Sequence, residues 1–305
     1  EDSVEVSWDG TTLIFLYTPL DLYLSSSSGG LKKDLHLHWP TPEELGKDVG
    51  KPRAEFPRIL DPKKGVVPDP AYKHDSQIMS ASIDPVTSLS GNVTMLTPPV
   101  NTPDGLEGCA NIDPETAIIY FSRSKSSSRQ LLRSSVGIQR SSTGKLVLGW
   151  STPTALPSTV NKAGVENDNP FAKGGTLYFE RGLKAQQTLT FYKATLPDCK
   201  DVVPLTFLDK PKSNETQIWV NPTKEEYLYT RDFMGIYSYE NGQEKVVLLS
   251  GALLGPAKAP YMYGIGEPSK TKDGDIYFLV VWRAYDNATN EYFTDTDVAV
   301  MRRKR

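Results

Sequence analysis

Five short segments of this chain are variants of one phrase. "TTLIFLYT", "TAIIYFSRS", "GTLYFERG", "EYLYTRD" and "GDIYFLVVW" run through β-branched and aromatic residues, and they align on Phe15, Phe121, Phe179, Tyr229 and Phe278. The last four aromatics recur at roughly fifty to sixty residues, a period suited to one four-stranded propeller blade. A turn rich in Asp, Asn, Gly or Pro stands before each segment: "SWDG", "IDPE", "AKGG", "NPTK" and "KDG". Such residues supply the tight backbone geometry that a hairpin needs. No long stretch has helical periodicity, so the chain reads as all-β.

Composition narrows the function classes. Hydrophobic residues are 38% and charged residues 23% of the chain, the balance of a globular protein. The net charge of -3 argues against a nucleic-acid partner, which calls for an excess of Lys and Arg. No apolar run approaches the ~20 residues of a membrane span. Cys109 and Cys199 are too few for a disulfide framework and leave the redox compartment open. The abrupt start at Glu1 and the sequons at Asn92, Asn214 and Asn287 are compatible with a processed, exported protein, periplasmic or extracellular.

Longer phrases surround the repeated strands. "VNKAGVENDNPFAKGGTLYFERG", Val160 to Gly182, resembles the WD40-like repeat of TolB-type β-propellers. "VNTPDGLEGCANIDPETAIIYFSRS", Val100 to Ser124, and "VSWDGTTLIFLYT" are further copies, and those at Glu215–Arg231 and Glu267–Phe278 are weaker. The resemblance covers most of the chain outside residues 19–73. It implies a fold, a single five-bladed β-propeller with six blades as the alternative, and leaves activity open, because function is grafted onto such folds at particular sites.

Phe15 and Phe121 are about two periods apart, so blade 1 carries an insertion or hides a degenerate blade. Residues 40–70 hold many prolines and no core phrase, and proline cannot sit in a central strand, which favours an insertion over residues 19–73. The expected strands of blade 1 are Val4–Ser7, Thr12–Thr18, Gln77–Ile83 and Val93–Thr97. Blades 2 to 5 are expected at about 108–153, 169–208, 216–250 and from 263 onward. Blade 5 stops after a third strand, "DTDVAVMRRK", so closure by a strand from the other terminus is not obvious.

Strands alternate direction within a blade, so the loop between second and third strands opens on the face where the first strand enters the channel. Residues 19–73 are therefore expected over that face, as a lid. Three sets of candidate residues belong near it. The first is a repeated carboxylate with a following arginine. Glu107 and Glu215, like Glu1, precede the aligned aromatic by fourteen residues and Glu166 by thirteen, while Arg123, Arg181 and Arg231 follow it. These are acids and bases for a polar ligand or for work on a sugar, or else pairs that hold each blade. Repetition favours the second reading, since catalytic groups are usually unique.

The second set is His36, His38 and His74, the only histidines, all in or beside the insertion. If "LHLHW" is extended, His36 and His38 face one side and with His74 could hold a divalent metal; the alternative is surface imidazoles above packed leucines. The third set is Trp8, Trp39, Trp219, Tyr261, Tyr263, Asn167 and Asn221, which fits sugar stacking and hydroxyl recognition or ordinary filling between blades.

Three functions remain open: a non-catalytic propeller binding a glycan or protein ligand at the capped channel mouth, a carbohydrate-active hydrolase or lyase, and a metal-dependent form of that enzyme. No GxSxG, P-loop, dinucleotide fingerprint or CxxC is present.

Overall fold

A computed structural model describes residues 2–17, 77–84, 86–87, 90–102, 106–125, 128–140, 146–182, 189–210, 213–253, 261–286 and 291–304. The strands fall into five antiparallel sheets in chain order, one per blade of a five-bladed propeller. Blade 1 comprises β1 (Asp2–Val6), β2 (Thr12–Tyr17), β3 (Gln77–Ile83) and β4 (Ser90–Met95). Blade 2 comprises β5 (Leu106–Asp113), β6 (Ile118–Lys125), β7 (Ser128–Arg140) and β8 (Leu146–Trp150), with the short β9 (Thr154–Ala155) also paired to β7. Blade 3 is β10 (Glu166–Lys173), β11 (Thr176–Gly182), β12 (Leu189–Thr195) and β13 (Lys200–Pro204). Blade 4 is β14 (Glu215–Val220), β15 (Glu226–Arg231), β16 (Gly235–Glu240) and β17 (Gln243–Leu249), followed by the single turn α1 (Ser250–Leu253). Blade 5 has three strands, β18 (Tyr261–Lys270), β19 (Ile276–Asp286) and β20 (Glu291–Met301). The expected insertion, residues 19–73, lies outside the described residues.

Second strands read as near-continuous apolar runs because both of their faces are buried. Along β2, Leu13 and Phe15 pack with Tyr277 and Leu279 of blade 5, while Ile14 and Leu16 pack with Ile119 and Phe121 of blade 2. The same alternation repeats in β11: Leu177 and Phe179 pack towards blade 2 and Tyr178 towards blade 4. In β15, Tyr227 and Tyr229 face blade 3 while Leu228 faces blade 5. In β19, Phe278 joins the cluster shared with blade 4. Each of the five aligned aromatics therefore packs against the preceding blade. The core is five layers between blades rather than one central mass.

Inner strands share a second feature. Each of β1, β5, β10, β14 and β18 breaks register with its second strand midway, between Asp2 and Glu5, Gly108 and Ala110, Asp168 and Phe171, Thr216 and Trp219, and Gly266 and Ser269. In four of them a non-glycine residue takes a positive φ at the break: Ser3 (54°), Asn169 (46°), Gln217 (60°) and Glu267 (52°). These bulges re-aim backbone and side chains at the channel.

No strand outside the blade-5 sheet completes it among the described residues, so side chains close the ring together with one backbone bond, from Lys272 N to Trp8 O at 2.7 Å. Val4 N donates to Glu267 Oε2 at 3.0 Å and Val6 N to Ser269 Oγ at 2.9 Å, joining blade 1 to blade 5. Val4, Val6, Leu13, Phe15, Tyr277 and Leu279 form the apolar layer beneath those bonds.

The aligned aromatics test this architecture. Phe121 has no exposure and fills the layer between blades 1 and 2. Phe121→Ala should cost about 3–5 kcal/mol by transfer and cavity terms, measured by urea unfolding. An exposed residue of the same length of strand, such as Gln130, should tolerate alanine within about 0.5 kcal/mol.

Candidate functional site

Inner strands begin at one face of the propeller, and the hairpins between second and third strands open there too. This entry face is where the repeated acids and arginines were expected. The Nε of Arg123 donates to Glu107 Oε1 at 2.7 Å, and the Nε of Arg231 donates to Glu215 Oε1 at 2.7 Å. In blade 3 the partner of Arg181 is Asn167, whose Oδ1 accepts from Nε at 3.0 Å. Glu166 stands one residue away, in register with Gly182. The count slipped because hairpins differ in length. Lys173 and Thr176 are joined through Gly174 and Gly175 alone, both at positive φ, whereas blade 2 places four residues between Asp113 and Ile118.

Each arginine does more than pair. Arg123 Nη2 donates to the carbonyls of Pro99 (3.0 Å) and Val100 (2.6 Å), and Arg181 Nη2 to those of Thr159 (2.8 Å) and Val160 (2.7 Å). The guanidinium also lies over the aligned aromatic of its own strand, 5.2 Å from Phe121, 5.1 Å from Phe179 and 5.6 Å from Tyr229. The asparagines of the two "VN" phrases complete the clamp. Asn101 bonds Ile78 N, Ile78 O and Leu96 O, each at 2.8 Å, and Asn161 makes the matching bonds to Leu131 and Leu156. Acid or amide, arginine and asparagine thus pin the link between blades to both of its neighbours.

Burial raises the Glu107 carboxyl above its ordinary value, with Thr102 and Arg123 opposing it. Arg231 is shared between Glu215 and Glu244, and its hydrogen bond is the main cause that lowers Glu244 to about 2. Tyr229 also donates to Glu244, and burial first, then that bond, pushes the phenol up.

At the bulges the channel narrows to a cavity of about 50 Å³, lined by residues of all five inner strands, among them Glu5, Cys109, Asn169, Gln217 and Glu267. A ring of hydrogen bonds surrounds it. Asn111 Nδ2 donates to Glu5 Oε1 at 2.6 Å, and Asn111 Oδ1 accepts from Ala172 N at 2.7 Å. Gln217 N donates to Glu180 Oε1, Gln217 Nε2 to Glu267 Oε1 at 2.7 Å, and Glu267 N to Gln217 Oε1 at 2.9 Å. Together with the bonds to Val4 and Val6 these link every blade to the next. Burial pushes Glu5 well above its ordinary value. Glu180 is pushed up to about 8, by burial first and then by the charge of Asp168.

The remaining candidates separate. Trp219 is buried between blades 4 and 5, stacked on Trp8 at 6.2 Å and edge-on to Phe171 at 6.5 Å. Asn221 lies in the β14–β15 turn at the opposite face, bonded to Glu226 at 2.7 Å. Trp39, His36, His38 and His74 lie outside the described residues, as does the divalent-metal site they would form. The described residues contain no group of three or more His, Cys, Asp or Glu placed to hold a metal ion.

Sequence reasoning missed Glu5, Asp168, Glu180 and Gln217, since no residue type recurs at their places in the repeat. The available signal was an offset. Asn169 and Gln217 stand two residues after the clamp positions Asn167 and Glu215, where the strand bulges.

The entry face carries one more feature. Phe233 and Met234, in the β15–β16 hairpin, are 41% and 53% exposed, beside Leu249 (45%) and Leu253 (41%). Asp232 and Phe233 both take positive φ (54°). The hairpin is held from below: Asn214 N donates to Asp232 Oδ1 at 2.8 Å and Ile265 N to Phe233 O at 2.8 Å. A Cβ on Gly264 would stand 2.5 Å from that same carbonyl, so only glycine admits the contact.

No protein-family model matches the sequence, and no curated protein matches it. Solved structures similar to this chain include TolB from Acinetobacter baumannii, 12% identical over 74% of this chain and 49% of that one, with a TM-score of 0.39. A TolB-type protein from Agrobacterium tumefaciens is 11% identical over 98% of this chain and 90% of that one, with a TM-score of 0.43. Trypanosoma rangeli sialidase is 8% identical over 98% of this chain and 54% of that one, with a TM-score of 0.42. The chain thus spans about half the length of the A. baumannii TolB and of the sialidase. At these identities and scores the likeness carries no argument about activity, and the fold rests on the five sheets themselves. Among the described residues no helix is long and apolar enough to cross a membrane.

The clamp can be tested by breaking one partner. The side chains of Arg123 and Glu107 are 9% and 0% exposed. Arg123→Ala should destabilise by about 3–5 kcal/mol, because it leaves the Glu107 charge buried without its guanidinium. Arg123→Met combined with Glu107→Gln should recover a large part of that loss in the same unfolding assay, as expected for a structural pair.

Proposed function

We propose that this propeller is a binding scaffold rather than a hydrolase, and that it takes a protein ligand on the entry face across blade 4. The observation that carries the reading is the use of the repeated acids. Glu107 and Glu215 are each bound by an arginine, by Arg123, which also holds the carbonyls of the blade link, and by Arg231, which also holds Glu244, so neither is poised for proton transfer to a substrate. The channel supports the same reading. A cavity of about 50 Å³ has room for a few waters, whereas ligand pockets run to roughly 300–1,000 Å³.

Phe233, Met234, Leu249 and Leu253 favour a protein over a sugar. Three of the four are flexible aliphatic or thioether side chains that suit an apolar anchor, and methionine adapts to varied partners. Two consecutive non-glycine residues at positive φ carry a conformational cost of order 1–3 kcal/mol each. The Asp232, Ile265 and Gly264 contacts hold that costly hairpin in one shape, the preorganisation a docking surface benefits from. Export to an extracytoplasmic compartment goes with this reading, with secreted or periplasmic partners as the candidates.

The test uses the intact protein in cross-linking and affinity measurements on soluble extracellular or periplasmic fractions, beside a glycan array and a hydrolase and lyase panel run with and without chelator. A saturable protein partner is expected. Phe233→Ser with Met234→Ser should weaken it at least about tenfold, roughly 1.4 kcal/mol, with the unfolding curve unchanged. Turnover of a glycan that Glu107→Gln or Glu215→Gln abolishes would reverse the reading to an enzyme. Glycan binding untouched by the double substitution would move the site off blade 4.

A further inference from the structure

Asp168 on β10 and Glu180 on β11 are register partners, so two carboxyls stand on facing positions of adjacent strands. One oxygen of each is engaged across a blade boundary. Asp168 Oδ2 takes the guanidinium of Arg129 from blade 2. Glu180 Oε1 takes the amide N–H of Gln217 from blade 4 and the Asn169 side-chain amide at 2.7 Å. The other two oxygens, Asp168 Oδ1 and Glu180 Oε2, are buried and have no hydrogen-bond partner among the described residues. Glu180 as a whole has no exposure.

We propose that Asp168 and Glu180 share one proton, carried on Glu180 Oε2 and directed at Asp168 Oδ1, so that the pair is a pH-responsive joint between blades 2, 3 and 4. One proton accounts for both orphan oxygens. A protonated carboxyl gains a donor, and the facing carboxylate supplies the acceptor, in a short charge-assisted bond. Two ionised carboxylates would instead set like charges side by side away from water.

The proton's position follows from the surrounding charges. Arg129, on β7, forms an ion pair with Asp168. Among the described residues no cation is bonded to Glu180, and the charge of Arg129 reaches it only through space. Its other contacts are Asn169 on β10 and the backbone of Gln217 on β14, and Gln217 leads on to Glu267 on β18. Cys109 and Glu166 act on Arg129 and favour its charge. Glu180 is therefore the acid of the pair, and its carboxyl, pushed up to about 8, agrees. A metal ion is a poorer occupant, because Arg129 already places a positive charge on Asp168.

The proton leaves to solvent as pH rises. Glu180 binds it more tightly in the folded than in the unfolded chain, where an ordinary carboxyl titrates near 4.5. Its stabilisation is full below about pH 4.5, falls as pH rises from there, and is gone above about 8. Across that window the folding constant should drop about tenfold per pH unit from this group. Glu5, also raised by burial, titrates in every variant, so the informative quantity is the difference between proteins.

The experiment compares the pH dependence of urea unfolding for the wild type, Glu180→Gln and a surface control, Glu115→Gln, alongside a carboxyl-carbon NMR titration of the wild type. Glu180→Gln keeps a donor towards Asp168 and removes the ionisation, so its curve should lack about one proton's slope between pH 5 and 8, while the control matches the wild type. In the NMR titration the carboxyl signal assigned to Glu180, resolved from that of Glu5, should titrate near 8. Equal slopes in the wild type and Glu180→Gln, or a Glu180 signal titrating below about 6, would overturn the proposal; the NMR result decides if the variant does not fold. Stabilisation by added magnesium or calcium that chelator reverses, present in the wild type and absent in Glu180→Gln, would replace the proton with a metal ion.

Discussion

The ring has to close between blade 5 and blade 1, and the rest of the structure depends on how. In the described residues β1 pairs only with β2, and the blade-5 sheet ends at β20. No ladder crosses the joint. Val4 and Val6 present their N–H groups to Glu267 and Ser269 instead, over an apolar layer that runs from Val4 to Val300. A hydrogen bond contributes about 1 kcal/mol net, and at this joint Glu267 supplies an acceptor where no strand exchange does. It reaches Val4 only because β18 bulges at Gly266–Ser269 and turns Glu267 to positive φ. Gln217 and Asn169 make the same kind of break on β14 and β10. The bulges release backbone groups from the ladders so that neighbouring blades can bond them.

Acids in this protein therefore serve two mechanical purposes with opposite electrostatics. Glu107 and Glu215 are buried beside guanidinium groups, and their charge is matched on the spot. Glu5 and Glu180 are buried with amides and backbone N–H groups, and no full positive charge touches them. In the first kind the guanidinium opposes the push of burial, as Arg123 does at Glu107. The second is driven towards its neutral form. An identical residue type near one channel mouth thus gives a permanent clamp at one radius and a titratable joint closer to the axis.

Much of the fold was legible because blade stacking leaves a periodic mark. Second strands are buried on both faces and must read as apolar runs, and one aromatic per run must fill the gap to the preceding blade. Phe121, Phe179 and Tyr229 carry that pattern plainly. Gln77–Ile83 was found as the third strand of blade 1 because its alternation survives beyond the long insertion. The clamp was half legible. Its arginines follow the aromatics at a fixed distance of two residues, whereas its acids were counted backwards across hairpins of unequal length, so Glu166 was taken where Asn167 serves. The channel ring was not legible. Its members are set by bulges, which have no composition of their own, and each blade solves the joint with a different residue: Asn111, Glu180, Gln217, Glu267.

That contrast separates scaffold from function. What several blades repeat has a mechanical explanation here: the aromatic seals a layer in all five, an arginine holds an acid or amide of its inner strand in blades 2 to 4, and Asn101 and Asn161 each tie a link to the blade before. Features that occur once have no such explanation. The exposed Phe233 and Met234 fill no layer, yet two hydrogen bonds and a glycine at 264 hold their hairpin in a conformation non-glycine residues avoid. Packing between blades accounts for the depth at which Phe233's carbonyl is fixed to Ile265 and for the ring edge that lies over Gly266, but not for the 41% of Phe233 and the 53% of Met234 that stay exposed. An unfavourable backbone, rigidly supported and ending in apolar side chains at the entry face, is what a surface shaped for a partner requires.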